Sequence, residues 1–204
     1  MTAIINYGVG NLFSLESSFN AIGHEVTITS NPDEIRAAER IILPGVGAFG
    51  DAAEKLFSSG LAEVLISEAQ RGKPILGICL GMQLLFTKSY EFGEYDGLNL
   101  IPGEVRPIRN VIPESLKIPQ MGWNSLTFTN PSEIYSHTQK DSYVYFVHSY
   151  AAFCEEKYIT ATTDYGAALT ASVQNGNIYG VQYHPEKSGN VGLDILRSFC
   201  GVKS

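Results

Sequence analysis

The first half of the chain alternates short apolar runs with stretches that carry a helical pattern. The runs occupy residues 3–7, 25–29, 40–43 and 74–78, and the intervening stretches place apolar residues on one helical face. Strands that alternate with helices pair in parallel, and a parallel sheet needs helices over both faces. The alternation therefore predicts an α/β fold with an open, mostly parallel sheet flanked by helices.

Capping residues indicate where several helices begin and end. Asn11 and Asn31 each precede a helical pattern and can accept hydrogen bonds from its first free backbone N–H groups. Gly72 stands at the stop position of a helix expected over residues 61–71. A short helix is expected to follow Cys79 at once and to reach about residue 87.

The second half has a different character, because β-branched and aromatic residues replace the helical pattern. Asn175-Gly176 is a hairpin signal between two strands expected over residues 168–173 and 178–183. A helix over residues 189–200 closes the pattern. These features predict a smaller antiparallel portion within a single domain spanning residues 1–204. Further strands are expected at residues 104–109, 125–129, 142–151 and 159–163.

Composition argues against several classes of protein. The 14 basic and 21 acidic residues give a net charge of −7, whereas proteins that bind nucleic-acid backbones carry a basic face. Three cysteines are too few and too far apart for a disulfide framework or a zinc cluster, so no metal is expected. The Gly8-Val9-Gly10 turn is not a dinucleotide fingerprint, since Phe13 replaces its third glycine, and no cofactor is expected.

The first residues, Met1 to Gly8, contain an apolar run without a basic leader. We therefore expect neither a signal peptide nor a membrane span. The low cysteine content favours a reducing cytoplasm.

The segment Gly77-Ile78-Cys79-Leu80-Gly81 is the sharpest local signal for chemistry. Small residues on both sides of a nucleophile, between a strand and a helix, permit the tight turn that lifts the side chain above the sheet edge. The start of the following helix favours thiolate over thiol. On these five residues alone, a buried core cysteine flanked by packing glycines remains open.

His184-Pro185-Glu186 supplies a candidate base at the end of another expected strand. Pro185 biases His184 toward an extended backbone, in which residues 184 and 186 project to the same side. Glu186 can then orient one imidazole nitrogen while the other takes a proton from Cys79. Taken alone, this tripeptide would be a surface turn.

An acyl-transfer site also needs donors for a developing oxyanion. The backbone N–H of Leu80 is one candidate, and the Gly45-Val46-Gly47 turn after another expected strand provides Val46 and Gly47 as others. A simple strand-to-helix turn is the alternative for these glycines. Gln83 lies one helical turn after Cys79 and can bind a substrate or cap local backbone.

Together these segments resemble the triad-type, class I glutamine amidotransferases. The resemblance rests on Pro44-Gly45-Val46-Gly47, on residues 77–83 and on His184-Pro185-Glu186, in an order that fits the whole chain. It implies a flavodoxin-like fold, the hydrolysis of glutamine, and Cys79, His184 and Glu186 as the catalytic triad.

A narrower resemblance, carried by residues 6–12, 119–124 and 145–150, is to the glutaminase subunits of imidazole glycerol phosphate synthases in histidine biosynthesis. Met121-Gly122-Trp123-Asn124 is its most discriminating part. It implies a (β/α)₈-barrel cyclase partner that receives ammonia and makes imidazole glycerol phosphate and aminoimidazole carboxamide ribotide. The glutamine-binding residues implied are Gly45, Gln83, Glu91, His148, Ser149 and Tyr150. The partner-facing residues implied are Asn11, Met121, Gly122, Trp123, Tyr145 and Lys187.

A partner is also expected on physical grounds. Ammonia released into water near neutral pH is largely protonated and loses its nucleophilicity, and this chain has no phosphate loop that would mark an acceptor site. Trp123 is of a residue type enriched among interface anchors, although core burial is the alternative. We also expect low activity without the partner, with the Gly45-Val46-Gly47 turn as the switch.

Three alternative functions keep part of this interpretation. The chain could be a glutaminase subunit for pyridoxal phosphate or anthranilate synthesis, but the sequence of residues 121–124 argues against this alternative. A γ-glutamyl peptidase could use the same triad. A non-catalytic, flavodoxin-like binding module would make Cys79 and His184 core residues.

Overall fold

The computed structural model describes residues 1–201, which form three sheets and six α-helices. The strands are β1 (Thr2–Ile5), β2 (Val26–Thr29), β3 (Arg40–Leu43), β4 (Ile75–Ile78), β5 (Phe86–Ser89), β6 (Tyr95–Asp96), β7 (Ile101–Pro107), β8 (Gln120–Ser125), β9 (Thr127–Phe128), β10 (Tyr143–His148), β11 (Tyr150–Phe153), β12 (Ile159–Asp164), β13 (Ala168–Asn175) and β14 (Ile178–Val181). The helices are α1 (Leu12–Ala21), α2 (Pro32–Ala37), α3 (Phe49–Ser58), α4 (Leu61–Gln70), α5 (Leu80–Leu84) and α6 (Gly189–Cys200).

The main sheet has eight strands in the order β2-β1-β3-β4-β14-β13-β12-β9. Its first five strands pair in parallel, and the last three continue it by antiparallel pairing. The predicted mostly parallel sheet and antiparallel second half are therefore confirmed. Two small sheets, β11-β7-β5-β6 and β10-β8, lie beside it.

Apolar side chains cover both faces of the main sheet, as a parallel sheet requires. On one face, Ile41 and Leu43 of β3 belong to a buried cluster with residues of α3 and α4. On the other, Ile42 of the same strand belongs to a cluster with residues of α1 and α6. The alternation along β3 shows how a continuous apolar run supplies two cores.

Helix caps follow the sequence signals. The Asn11 side chain accepts a hydrogen bond from the Ser14 backbone N–H at 3.4 Å, and Asn31 accepts one from Asp33 at 2.9 Å. Gly72 has a left-handed φ of 85° just after α4 ends. None of the helices described in residues 1–201 has the length and apolar character needed to cross a bilayer.

Around Cys79 the helix prediction was too long. Helix α5 ends at Leu84, and the chain enters β5 at Phe86 instead of staying helical to residue 87. The reason is tertiary pairing, because β5 runs parallel to β7 and its Phe86 pairs with Ile101. Sequence patterns around residue 49 did not predict helix α3, which follows the glycine turn after β3.

Several strand limits in the second half also differ from the prediction. The run 142–151 divides at Ser149 into β10 and β11, which belong to different sheets, and the run 125–129 divides at Leu126. Strand β7 ends at Pro107, two residues before its predicted limit, and a 3-10 turn follows. The hairpin turn is Gly176-Asn177, since Asn175 pairs with Ile178.

Candidate active site

Cys79 occupies a strained turn between β4 and α5. Its φ of 55° and ψ of −112° lie in a region that non-glycine residues rarely adopt. A Cβ on Gly77 would lie 2.6 Å from the carbonyl oxygen of Gly81, and a Cβ on Gly81 would lie 1.8 Å from that of Leu43. The flanking glycines are thus required by the close approach of strand, turn and helix, which is the geometry of a nucleophile elbow.

His184 and Glu186 form a buried pair. The imidazole Nδ1 lies 2.7 Å from Oε1 of Glu186, and both side chains are at most 3% exposed. His184 has an extended backbone, as expected before Pro185, although β14 ends at Val181 and not at residue 183. The extended run predicted to reach residue 186 is wrong, since Pro185–Lys187 form a 3-10 turn that brings Glu186 back to the imidazole. The surface-turn alternative for this tripeptide is therefore wrong.

The backbone of His184 is held from two sides. Its N–H donates to the carbonyl oxygen of Tyr145 at 2.9 Å, and its own carbonyl accepts from the Ser188 hydroxyl at 2.6 Å. The same hydroxyl oxygen accepts from the Tyr145 N–H at 3.0 Å. These contacts connect the histidine to β10 independently of β14.

The charge distribution favours a protonated imidazole beside the sulfur. Burial lowers the pKa of His184, but Cys79 and Glu186 outweigh it and raise that pKa to about 10. Burial, together with the nearby Cys79, raises the pKa of the Tyr7 hydroxyl well above its usual range. By contrast, burial raises the pKa of both Cys154 and Cys200 to about 11, which keeps those thiols protonated.

His148 is a second buried imidazole, with the opposite shift. Burial, opposed by a hydrogen bond to Tyr150 and assisted by the charge of His184, lowers its pKa to about 4. Its Nδ1 lies 2.8 Å from the Tyr150 carbonyl oxygen and must donate there. The neutral ring therefore carries an acceptor at Nε2, which is buried without a hydrogen-bond partner among residues 1–201.

The Gly45-Val46-Gly47 turn packs against the start of α5. A Cβ on Gly45 would lie 2.8 Å from the Gly81 amide nitrogen and 2.9 Å from the Leu80 Cβ, so the glycine turn packs closely against the first residues of α5. Gly47 has a φ of 96°, and Val46 is 43% exposed. The Tyr7 hydroxyl donates to the Pro44 carbonyl at 2.7 Å and anchors the base of the turn.

Three of the residues expected to bind glutamine share one hydrogen-bonded cluster. The Tyr150 carbonyl accepts from Nε2 of Gln83 at 3.0 Å as well as from His148. Ser149 links β10 to β11, and its carbonyl oxygen accepts from the Ile108 N–H at 3.0 Å. Gln83 and His148 are buried, while Ser149 and Tyr150 are half-buried.

Glu91 lies at the start of helix α3. Its Oε2 accepts from the Phe49 N–H at 2.7 Å, and its charge is close enough to raise the pKa of the Tyr150 hydroxyl, after burial. Burial, opposed by the Phe49 hydrogen bond, raises the pKa of Glu91 itself. The structure thus brings Glu91 to the same region as Tyr150.

Sequence reasoning missed Gln182, which is fully buried with Nε2 3.7 Å from the sulfur of Cys79. The period-two argument used for residues 184 and 186 does not extend back to Gln182, because residues 182 and 183 form a bend after β14. Tyr7 was also missed as an anchor, and nothing in its local sequence indicates the contact.

Exposed side chains cluster where a partner was expected. Met121 is 67% exposed and Trp123 is 51% exposed, so the core alternative for Trp123 is wrong. Trp123 packs edge-on against Tyr145 with ring centroids 6.0 Å apart, and Nζ of Lys187 lies 5.8 Å from the Tyr145 centroid. We call Met121, Trp123, Tyr145 and Lys187 the β8–β10 patch.

Gly122 and Asn11 were also predicted to face the partner, and both are half-buried. Gly122, between Met121 and Trp123, has a φ of 137° that allows their strand to bend. Asn11 is half-buried and its side-chain oxygen caps α1. Phe13, in the first turn of that helix, is 77% exposed and lines an open groove with Pro185 and Glu186.

Known proteins similar to this chain identify its family. Imidazole glycerol phosphate synthase subunit HisH of Moorella thermoacetica is 46% identical over 198 residues, covering 97% of this chain and 92% of that protein. HisH of Methanothermobacter thermautotrophicus is 48% identical over 202 residues, covering 99% and 98%. Among solved structures, PurLQS from Thermotoga maritima shares the fold, with a TM-score of 0.73 and 20% identity over 98% of this chain and 97% of that one. The family model "Glutamine amidotransferase class-I" matches residues 3–200, and the chain belongs to that family.

Proposed function

We propose that this chain is the glutaminase subunit of an imidazole glycerol phosphate synthase, and that it hydrolyses glutamine through a thioester on Cys79. The observation that carries the proposal is Cys79, at a strained turn beside the buried His184–Glu186 pair. The HisH relatives, 46–48% identical over nearly the whole chain, support the choice of synthase.

The first half of the reaction forms the thioester. The thiolate of Cys79 attacks the side-chain amide carbon of glutamine, and the C–N bond of the resulting tetrahedral intermediate breaks. His184, protonated because its pKa is raised to about 10, gives its proton to the departing nitrogen, which leaves as ammonia. Glu186 holds Nδ1, which leaves Nε2, buried without a hydrogen-bond partner among residues 1–201, available to carry the transferred proton.

The second half regenerates the enzyme. His184, now neutral, takes a proton from water as the water oxygen attacks the thioester carbon. The C–S bond breaks, glutamate leaves, and the thiolate–imidazolium pair is restored. In both halves the oxyanion would accept from the Leu80 N–H and from the Val46 or Gly47 N–H. The packing of Gly45 against Leu80 and Gly81 supports this assignment.

The HisH relatives are named as subunits, which supports a complex between this chain and a cyclase subunit. We place the (β/α)₈-barrel form of that subunit, and its docking on the β8–β10 patch, within the proposal. A patch with two half-exposed aromatic rings and a methionine matches the composition of interface cores. Ammonia would then pass to the cyclase without meeting bulk water. The cytoplasmic location expected from the cysteine content belongs to the same proposal.

The alternatives are less well supported. The relatives favour the HisH function over pyridoxal phosphate or anthranilate synthesis. A non-catalytic binding module gives no reason for a cysteine held at a φ of 55° beside a buried histidine–carboxylate pair. A γ-glutamyl peptidase remains distinguishable by its preference for γ-glutamyl peptides over free glutamine.

The decisive experiment compares Cys79→Ala with Cys154→Ala in a glutaminase assay, each with and without the cognate cyclase subunit. Cys79→Ala should abolish glutamate release while thermal unfolding stays within a few degrees of wild type. Cys154→Ala, a change of the same kind at a protonated thiol, should keep activity. Substantial glutamine hydrolysis by folded Cys79→Ala would overturn the proposal.

A further inference from the structure

Gln182 lies directly against the sulfur of Cys79. Its side chain is fully buried, and Nε2 stands 3.7 Å from Sγ, within the range of an N–H···S hydrogen bond. Gln182 lies in the bend that follows β14, whose last residue is Val181, and this bend brings its side chain to the turn that carries Cys79. The mechanism above gives this amide no role.

The orientation of the Gln182 side-chain amide, oxygen one way and NH₂ the other, can be derived from the Tyr150 backbone carbonyl through two hydrogen bonds. The Tyr150 carbonyl oxygen can only accept, so the group of Gln83 that lies 3.0 Å from it must be its NH₂. The same NH₂ lies 2.9 Å from Gln182, where only an oxygen can accept. Gln182 therefore turns its own NH₂ toward the sulfur of Cys79.

We infer that Gln182 is a further residue of the reacting site: it donates an N–H to the Cys79 sulfur, favours the thiolate over the thiol, and orients the sulfur for attack. The inference rests on the proposed function, in which Cys79 is the nucleophile. A hydrogen bond to the charged form of an acid stabilises that form relative to the neutral one. Burial strengthens the effect, because no water competes for the sulfur.

Other groups also face this sulfur, and they must be kept constant in any test. The Tyr7 hydroxyl reaches the sulfur from the end of β1, and the His184 imidazole reaches it from the end of β14. Glu186 and His148 interact electrostatically with His184. The Val147 carbonyl oxygen, 4.0 Å from Sγ, can accept from a thiol and so favours the neutral form. Substitution of Gln182 removes one donor and leaves these groups in place.

The test measures the pH dependence of Cys79 alkylation by iodoacetamide, followed on the Cys79 peptide by mass spectrometry. This reagent needs no glutamine site, so the result does not depend on glutaminase activity. Gln182→Met, which removes the donor, should move the midpoint of the pH–rate profile upward by about one unit. The alkylation rate well below the midpoint should fall about tenfold. Gln182→Glu, of the same shape but with a negative charge, should move it further.

Two comparison variants separate this effect from a structural one. Gln174→Met makes the same chemical change on neighbouring β13, where the side chain donates to the Gly176 carbonyl at 3.1 Å, and it should leave the midpoint unchanged. Gln83→Met removes the NH₂ that orients Gln182 and should give a smaller upward shift. A purely structural role for Gln182 would lower thermal stability without moving the midpoint, and that result in folded Gln182→Met would overturn the inference.

A wild-type measurement covers the case in which the Gln182 variants do not fold. In the chain labelled with ¹⁵N-glutamine, the Gln182 side-chain amide resonance should shift with pH at the midpoint found for Cys79 alkylation. It should not do so in Cys79→Ala. A Gln182 resonance that is insensitive to pH through that midpoint in the wild-type chain would equally overturn the inference. Loss of the proposed glutaminase function alone would leave both readouts intact.

Discussion

The backbone N–H of His184 donates to the carbonyl oxygen of Tyr145 at 2.9 Å, while the Tyr145 ring packs edge-on against the half-exposed Trp123. The proposed base is therefore one hydrogen bond away from the β8–β10 patch. Under the proposed function, a partner docked on this patch would contact the strand that holds His184. The relationship would then link partner binding to catalysis through contacts that are present in the free chain.

Trp123→Ala should weaken binding of the cyclase subunit. Removal of a tryptophan anchor at an interface centre costs about 2–4 kcal/mol, or roughly 30- to 1,000-fold in Kd. Titration calorimetry with the cognate cyclase subunit measures the change. Tyr143→Ala is the matched control, since Tyr143 is a 58% exposed aromatic residue on the same small sheet but outside the patch. Equal losses in the two variants would argue against the patch as the docking site.

Glu186→Gln should lower the pH at which glutaminase activity is lost on the alkaline side. Glu186 and Cys79 raise the pKa of His184 to about 10, so the imidazolium that protonates the leaving ammonia persists to high pH. Without the carboxylate that pKa falls, and the alkaline limb of the kcat profile should move down by at least about one unit. An unchanged alkaline limb would contradict the role of Glu186 in raising the pKa of His184.

The same raised pKa predicts how stability depends on pH. Because the folded-state pKa of His184 lies above its unfolded value of about 6.5, its ion pair contributes fully below that pH. The contribution is lost as pH rises from about 6.5 toward 10. Urea unfolding at pH 6 and pH 9.5 should show a smaller pH-dependent loss in Glu186→Gln than in wild type. A larger loss in the variant would contradict the assignment.

Gly81→Ala should destabilise the turn severely. The added Cβ would meet the Leu43 carbonyl oxygen at 1.8 Å, so strand β3 or helix α5 must move. We expect a loss of about 3 kcal/mol or more in the free energy of unfolding. Gly72→Ala is the comparison, since its φ of 85° is strained for alanine but its Cβ meets nothing within 4 Å. That variant should lose only about 1 kcal/mol.

The free chain should hydrolyse glutamine slowly, and the cyclase subunit should accelerate it. If rotation of a peptide in the Gly45-Val46-Gly47 turn withdraws one oxyanion donor, kcat should rise about 10²–10³-fold when the donor is presented. Steady-state kinetics with and without the cyclase subunit measure the ratio. Gly47→Ala, which disfavours the observed φ of 96°, should change that ratio more than Gly72→Ala does. Equal turnover with and without the partner would contradict the switch.

Local patterns predicted most of what lies close together in sequence. The predicted contact between His184 and Glu186 is present, although a 3-10 turn over Pro185–Lys187 makes it and not an extended chain, and the elbow at Cys79 was predicted from its two flanking glycines. The caps at Asn11 and Asn31 follow from side-chain chemistry. The sequence signal in each case spans only a few residues, even where, as at Gly81, the packing that requires it involves a distant strand.

Long-range contacts account for what local patterns did not predict. Gln83 and Gln182 are 99 residues apart, so their shared hydrogen bond depends on the order of β4 and β14 in the sheet. The break at Ser149 and the early end of α5 arise because neighbouring residues pair with different sheets. Exposure of Trp123 depends on what covers that part of the chain, which neighbouring residues do not determine.

Strand β14 pairs in parallel with β4, with Val181 opposite Ile78, and the Cys79 N–H donates to the Val181 carbonyl at 2.8 Å. The turn that carries Cys79 is thus held by a strand that leaves the ribosome roughly a hundred residues after it. In a nascent polypeptide that extends only as far as β13, the edge of β4 that pairs with β14 is unpaired and His184 is absent. Under the proposed function, a nascent chain that ends before His184 should not hydrolyse glutamine.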